Sequence, residues 1–401
     1  MTHENKFGMF IHWGLYSLLE NHEQVMARLD LDPKEYEKLK DQFNPVKYDP
    51  EKWVLLAKNA GMKYMCITTK HHDGFCLWDT KYTDYNIMNT PYGKDVIKEF
   101  ADACHKHGML LSFYYSNPDW HHEFGYNPNS SHQWKCTHKE KEDTLRYREF
   151  IKNQITELLT GYGPIYTLFW DIPPKIEDPS LNELVRKLQP NILIDDRGWS
   201  KGDFSTPERE EVEIGEKPFE HMVEACNSVG QQSWGFRKDE DFYSIRHLTS
   251  SIDRFMSRGG SYILNVGPTA EGEITEEYAE KIRKVGDWYN RMEGCLECPE
   301  HDDFDYKCTC KTWNATKKNG KTYLHFREGL ISSAISLKNY PSLPQKVRLM
   351  NTGKALSFRE TLLPAYFNGK TGKCEDTYLH ISGIPVDDLS SEPIVIEILW
   401  N

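Results

Sequence analysis

The chain has 401 residues, with 49 Lys and Arg against 61 Asp and Glu and a formal net charge of −12. That balance argues against nucleic acid or an anionic membrane as partner, since both call for basic patches, and no apolar stretch reaches the roughly 20 residues that span a bilayer. At 38% hydrophobic and 27% charged residues, the composition is that of a globular chain long enough for one large domain and a smaller one.

The opening residues, MTHENKFGMFIHWG, lack the basic, then apolar, then small-residue order of a secretory signal. The chain as given is therefore expected in the cytoplasm, although a trimmed precursor would look the same. Phe7 to Tyr16 reads as a first strand. In DPEKWVLLAKNAG, Asp49 is an N-cap, Pro50 takes the first helical position, and Trp53, Leu56 and Ala57 share a face, so a helix is predicted up to Gly61. KYMCITT follows as a buried strand. The cycle repeats: helix over Lys94–Gly108 and strand over Met109–Ser116, then helix over Asp143–Gly163 and strand over Ile165–Asp171. Next come a helix in PSLNELVRKLQP and a strand over Asn191–Gly198. The stretch 199–242 has no regular period. Beyond it, a helix is predicted in SIRHLTSSIDRFMSRGG, a strand over Ser261–Pro268, and a helix in TEEYAEKIRKVGDWYNRM.

Strands that are apolar throughout and alternate with helices predict a parallel sheet covered on both faces. No Gly-rich dinucleotide turn follows the first strand, and six or seven strand–helix units fit a (β/α)8-like barrel over residues 1–298. From about Glu300 the texture changes. KTYLHF, KVRLMN, TYLHISG and PIVIEILW are short strands divided by Asn, Gly and Pro turns, which predicts a C-terminal β-sandwich over 299–401. Its aromatics fit core packing at least as well as a carbohydrate-binding face, and a brace for the barrel is the preferred reading.

Ten Cys are scattered through the chain. Cys66 and Cys104 lie in apolar runs and read as small buried hydrophobes. Cys295 and Cys298, followed by Cys308 and Cys310, have some zinc-site character. One intervening residue in the second pair is tight for tetrahedral ligation, so plain thiols are expected, with metal binding by this group left open.

In a barrel of this kind chemistry sits where strands end, and polar residues collect there: His12, His71 and His72, Tyr114 and Tyr115, Asp171, then Asp195, Asp196 and Arg197. Neighbouring residues on a strand point to opposite faces, so the His71–His72 pair needs the turn made by Asp73-Gly74 to bring both rings to one mouth. Two adjacent imidazoles suit adjacent hydroxyls of a polyol ring, each offering one donor and one acceptor. The competing reading makes one of them a hydrogen-bonded core residue, and adjacent His rarely reach one metal ion in good geometry. Asp171 ends a buried, aromatic strand, where a carboxylate is costly unless it faces a polar cleft. Pro173-Pro174 and a loop intervene before the next helix, which speaks against a capping role.

The segments KFGMFIHWGLYS, KHHDGF, YYSNPDW, LFWD, DDRGW, GDFSTPE and RGGSYILNVGP occur in this order, and together they resemble the α-L-fucosidases of glycoside hydrolase family 29. The likeness runs through essentially the whole chain. It implies a retaining glycosidase, with no metal or organic cofactor, acting on terminal α-L-fucosyl groups of a fucosylated glycan or glycoside. It assigns the nucleophile to Asp171 and the acid/base to Glu208 in GDFSTPERE, with Glu210, Glu211 and Glu213 as neighbouring alternatives. It implies sugar contacts from His12, Glu23, His71, His72, Arg197 and Trp234. Tyr115 is taken as the aromatic hydroxyl beside the nucleophile, with Tyr114 the alternative. Two departures stand out. Gln24 follows Glu23 where the family often has Trp, which removes a stacking wall. The family more often has Trp two positions before the nucleophile, so Trp170 is taken as the sugar contact with Phe169 as its substitute if Trp170 faces away. A glycosidase for another 6-deoxy or galacto-configured sugar, or an inactive fucose-binding protein, are the competing functions. Linkage preference and oligomeric state are not legible.

Overall fold

Parallel strands need crossover connections between them, and most of those here are helical. The computed structural model describes residues 6–125, 132, 134, 141–174, 176–209, 217–297, 299–308, 310, 312–362 and 376–401. Eight strands, β1 (Phe7–Ile11), β2 (Tyr64–Lys70), β3 (Leu110–Ser116), β4 (Thr167–Asp171), β5 (Leu193–Ile194), β6 (Phe204–Ser205), β7 (Met222–Ser228) and β8 (Ser261–Val266), form one parallel sheet in the order β5-β4-β3-β2-β1-β8-β7-β6. Its two edges meet through a single bridge between Asp195 and Phe204. The sheet is thus a nearly closed barrel, as the strand–helix alternation predicts.

The β1 connection holds α1 (Val25–Arg28) and α2 (Pro33–Glu37) before the long helix α3 (Pro50–Asn59). Then come α4 (Val96–His107), α5 (Lys141–Gly161), α6 (Pro179–Leu188), α7 (Ile245–Met256) and α8 (Glu276–Arg291). Side-chain caps set several starts: Asp49 accepts from the Lys52 amide, Asp95 from Lys98 and Ser244 from His247. Gly108, at φ 66°, ends α4 in the left-handed conformation that favours glycine.

Two sequence expectations shift. The first strand stops at Ile11, not Tyr16, because Trp13 turns off the sheet: its amide donates to Thr68 Oγ1 at 3.1 Å and its indole to the Thr269 carbonyl at 2.8 Å. In the stretch without a regular period lie β6, only two residues long, and β7, whose buried Glu224 and Asn227 break the apolar pattern.

Inside the barrel Phe10, Tyr64, Cys66, Tyr114, Phe169, Cys226 and Ile263 pack together. Lower down, the Tyr64 hydroxyl donates to buried Glu224, whose carboxyl burial pushes up to about 7. The alternation that places these residues has one interruption. On β2, Thr68 pairs with Tyr114 but Lys70 pairs with Tyr115, so Thr69 is an extra residue, a β-bulge.

The described residues pack as two compact units, one of 6–209, 221–243 and 261–283, the other of 217–220, 244–260 and 284–401. In the second unit, β9 (Glu300–His301), β10 (Lys307–Cys308), β11 (Asn314–Lys318), β12 (Lys321–Phe326), β13 (Ala334–Lys338), β14 (Pro344–Leu349), β15 (Ser357–Leu362), β16 (Thr377–Ser382) and β17 (Ile394–Trp400) form two antiparallel sheets, β10-β13-β16-β15 and β14-β17-β12-β11-β9. Leu324, Phe326, Ile335, Leu337, Val347, Leu379, Ile396 and Ile398 fill a common apolar core, the sandwich expected from the turn-divided strands. Buried Asp253 of α7 accepts from His325 Nδ1 at 2.7 Å and pairs with Arg327 at 3.2 Å, tying that helix to β12. Cys298 lies outside the described residues. Cys308 and Cys310 pack against the sandwich core, and with buried Cys295 they form no three-ligand group.

Candidate active site

The C-terminal strand ends surround a cavity of about 110 Å³ lined by Phe10, His12, Glu23, Gln24, His71, His72, Tyr114, His132, Phe169, Asp171, Ile172, Glu208 and Trp234. At roughly 10–15 Å³ of such space per water, it has room for one small ring rather than a chain of them.

The bulge explains how two adjacent His reach it. Tyr64, Cys66 and Thr68 alternate inward, and unbroken pleating would send Lys70 in as well. The extra Thr69 reverses the parity. Lys70 leaves the barrel for a fully buried ion pair with Asp119 at 2.9 Å and sits 4.4 Å above the Tyr115 ring. His71 then points inward, its ring stacked on Tyr114 at 5.5 Å and 6°. The turn closed by the Gly74 amide on the His71 carbonyl brings His72 round beside it, ring centroids 4.1 Å apart. Gly74 stands at φ 81°, and a Cβ there would meet Asp119 Oδ1 at 2.3 Å.

Hydrogen-bond bookkeeping fixes what these rings present. Asn265 Nδ2 donates to the Trp234 carbonyl and to Ser228 Oγ, so its Oδ1 is the acceptor from His12 Nδ1 at 2.7 Å. Ser116 Oγ donates to the Pro118 carbonyl, so it accepts from His72 Nδ1 at 2.6 Å. Both rings therefore carry their proton on Nδ1 and keep a lone pair on Nε2. Burial pushes both down to about 4, so they are neutral at neutral pH. His71 is 4% exposed and its Nδ1 has no hydrogen-bond partner among the described residues. Burial, reinforced by His72 and His12, holds it well below the usual range.

Asp171 is the centre of the arrangement. Its Oδ2 accepts from the Tyr114 hydroxyl at 2.6 Å and lies 3.7 Å from His72 Nε2. Its Oδ1 accepts from the Ile172 amide at 2.9 Å and from Arg197 Nη1 at 3.2 Å. Burial opposes the charge on Asp171, yet its carboxyl is held below its ordinary value, with Arg197, the Tyr114 hydroxyl and the Ile172 amide favouring the anion. Ile172 has φ 59°, a costly conformation for a β-branched residue. Asn117 holds it there. Its amide donates to the Asp171 carbonyl, and its Nδ2 donates to the carbonyls of Ile172 at 3.1 Å and Arg197 at 3.2 Å. Its Oδ1 accepts from Trp199 at 2.9 Å.

Arg197 Nη1 also lies 3.1 Å from Glu208 Oε1. One guanidinium nitrogen thus touches two carboxylates, while Nη2 donates to the Thr206 carbonyl. Glu208 is the more exposed, at 39% against 11% for the Asp171 side chain. Glu210, Glu211 and Glu213 lie outside the described residues. Across the mouth, Glu23 Oε2 accepts from Ser233 Oγ and the amides of Trp234 and Gly235. Burial opposes its charge, but His22 and the Trp234 amide hold its pKa down.

The structure brings His12, Glu23, His71, His72, Asp171, Arg197, Glu208 and Trp234 together. It does not bring Tyr115 or Trp170 to the cavity. Both are correctly placed in sequence but on the wrong side of the pleat: Tyr115 donates to Gln154 at 2.7 Å and Trp170 to Asn182 at 3.1 Å, and the two rings pack against each other outside the barrel. Their inward neighbours, Tyr114 and Phe169, line the cavity instead. Counting back by two from Asp171 finds Phe169, and the Tyr114–Phe169 register then gives Tyr114. Phe10, Asn265 and Asn117 carry no distinguishing pattern in the sequence, whereas Gln24, noted there only as the replacement for a stacking Trp, joins the lining. His132, 5.2 Å from the His72 ring, comes from the β3 connection, where no local signal marks it.

The α-L-fucosidase family model matches residues 2–293 of the chain. Tissue α-L-fucosidase of Bos taurus is 24% identical over 341 residues, covering 71% of this chain and 66% of that protein, and the human tissue enzyme is 26% identical over 321 residues with the same coverage. The matched part thus spans about two thirds of the curated relatives. α-L-Fucosidase isoenzyme 1 from Paenibacillus thiaminolyticus superposes with a TM-score of 0.84 and 31% identity, covering 100% of this chain and 97% of that one. A family 29 α-L-fucosidase from Bacteroides thetaiotaomicron, captured as a trapped covalent intermediate, superposes at 0.78 with 26% identity over 99% and 94%.

Proposed function

We propose, for a chain that belongs to the α-L-fucosidase family of glycoside hydrolases, that this pocket removes terminal α-L-fucosyl groups with retention of configuration, through a covalent fucosyl-enzyme. The observation that carries the reading is the shared guanidinium. Because Arg197 Nη1 is 3.2 Å from one carboxylate oxygen and 3.1 Å from the other, those oxygens are no farther apart than the sum of the two distances, which is short of the roughly 6.5–9.5 Å that leaves room for an inverting water and so supports the retaining reading.

Asp171, kept ionised, is the nucleophile. It attacks the anomeric carbon from the face opposite the leaving oxygen, and an anion there favours the oxocarbenium-like transition state. Glu208 gives its proton to the leaving oxygen, then takes one from the water that releases the sugar. Two inversions restore the starting configuration. The Tyr114 hydroxyl, the Ile172 amide and Arg197 fix the attacking carboxylate. The Nε2 lone pairs of His12 and His72, the unsatisfied His71 and the Glu23 carboxylate meet the hydroxyls of the ring. Phe10, Phe169 and Trp234 supply apolar surface for the methyl at carbon 6.

Residues 1–298 are assigned to the catalytic barrel and 299–401 to a bracing sandwich. A cytoplasmic setting and freedom from nucleic acid and membrane partners belong to the same proposal and rest on the sequence and its net charge of −12. No helix among the described residues is long and apolar enough to cross a membrane. The test is incubation with an aryl α-L-fucoside, with the freed sugar followed by NMR before it mutarotates. Release of the α-anomer supports the proposal; no release, or the β-anomer first, overturns it.

A further inference from the structure

The catalytic carboxylate and its neighbouring imidazole present lone pairs to each other. His72 Nδ1 holds the ring proton, because the Ser116 hydroxyl it touches has already spent its own proton on Pro118. His72 Nε2 therefore faces Asp171 Oδ2 across 3.7 Å with no hydrogen between them. His71 stands alongside, buried, with its Nδ1 lacking a hydrogen-bond partner among the described residues. One ligand atom from each of His71, His72 and Asp171 lies within 4.8 Å of the others. Two kinds of species answer such a set: hydroxyl groups, which donate protons to it, and a metal ion, which accepts its lone pairs.

We infer that His71, His72 and Asp171 form an inhibitory binding site for a borderline-soft divalent ion such as Zn²⁺, which excludes the sugar from the pocket. Zinc bonds of about 2.0–2.2 Å set tetrahedral donors about 3.4 Å apart, close to the His72–Asp171 separation, so small movements of the rings complete the site. Two imidazoles and a carboxylate select Zn²⁺, Co²⁺ or Cu²⁺ over Mg²⁺ and Ca²⁺, which prefer all-oxygen shells. The bulge at Thr69 overcomes the usual objection to adjacent His ligands by bringing both rings into the mouth. Arg197 on Oδ1 opposes a cation, while Glu208 and Glu23 in the same lining favour one. The donors are already held in place: Ser116 orients His72, and Tyr114 and Arg197 orient Asp171. Binding breaks and forms no covalent bond in the sugar and leaves the fucosidase chemistry unchanged once the ion is removed.

The competition between ion and sugar rests on the functional reading above; ion binding itself does not. Co²⁺ is the probe, added to the purified chain in a non-chelating buffer and followed by its visible absorption and by calorimetry. One ion per chain is expected, displaced by Zn²⁺ and removed by a chelator. His71→Gln and, as a shape-preserving second variant, Asp171→Asn are each expected to weaken it at least about tenfold, with circular dichroism checking that both are folded. In the wild type, Zn²⁺ is expected to raise KM for an aryl α-L-fucoside without changing kcat, and Mg²⁺ to do nothing. Ion binding that neither variant weakens overturns the site, as does full turnover of substrate in excess Zn²⁺; that second result leaves the functional reading standing. A chain that binds the ion at these residues but turns over no fucoside keeps the site and loses the reading.

Discussion

Tyr114 donates its hydroxyl to Asp171 Oδ2 at 2.6 Å, while Tyr115, the next residue, donates to Gln154 behind the barrel wall. The pleat thus gives two identical side chains separate tasks. Tyr114→Phe should cut kcat/KM about 10- to 100-fold, the scale of a hydrogen bond to a charged group, with little change in melting temperature. Tyr115→Phe should do the reverse: near-native kinetics and a loss of about 1 kcal/mol in stability. Steady-state kinetics and thermal melts on the pair decide it; equal kinetic losses would contradict the assignment.

Asp171→Gly and Glu208→Ala should each lower turnover on an activated aryl fucoside, by on the order of 10⁴-fold and 10²–10⁴-fold respectively. Azide should rescue both, with opposite stereochemistry. In the space left by Asp171 it attacks the substrate directly and gives the β-fucosyl azide, one inversion. In the space left by Glu208 it attacks the fucosyl-enzyme and gives the α-azide, two inversions. NMR of the isolated azides reads the outcome. The same anomer from both variants would mean that one role is misassigned.

In the proposed mechanism Asp171 must be ionised to attack, so activity is expected to fall as pH drops through its pKa. Arg197 favours the anion and keeps that pKa low. Arg197→Gln removes the cation, raises the pKa, and should move the acid limb of the kcat/KM profile to higher pH. A pH series on wild type and variant measures this. An unmoved acid limb would show that another group governs it.

Asn117 does not itself line the cavity, yet it ties together the carbonyls of Asp171, Ile172 and Arg197. Asn117→Ala should free Ile172 from its left-handed conformation and let the carboxylate drift. A misplacement of about 1 Å is enough for a loss near 100-fold. The loss should fall on kcat, with KM nearly constant, because the hydroxyl contacts come from other strands. A change confined to KM would point instead to a role in binding.

Much of this was readable before any coordinates. Strand ends marked the rim, and Asp171, His12 and Arg197 stood out as polar groups closing apolar runs. What the sequence withheld is parity. Whether Trp170 or Phe169, Tyr115 or Tyr114, faces the sugar depends on the phase of the pleat, and a strand buried on both faces leaves no polar alternation from which to read it. β6 was hidden by its length, and β7 by the buried Glu224 and Asn227 that interrupt its apolar run. Asn117 and Asn265 act through bonds to residues far away in the chain, and nothing adjacent to them signals that use.

The single unpaired residue at Thr69 has a consequence for how this pocket can change. Removing it would exchange the two sides of everything that follows on that strand before the turn: the ammonium of Lys70 would enter the sugar's chamber and the imidazole of His71 would leave it. A one-codon deletion would therefore rewrite the chemistry of the chamber more deeply than any one-residue replacement, without altering the identity of a single remaining amino acid. Diversity in what such barrels accept can thus arise from slippage of the backbone as well as from exchange of side chains.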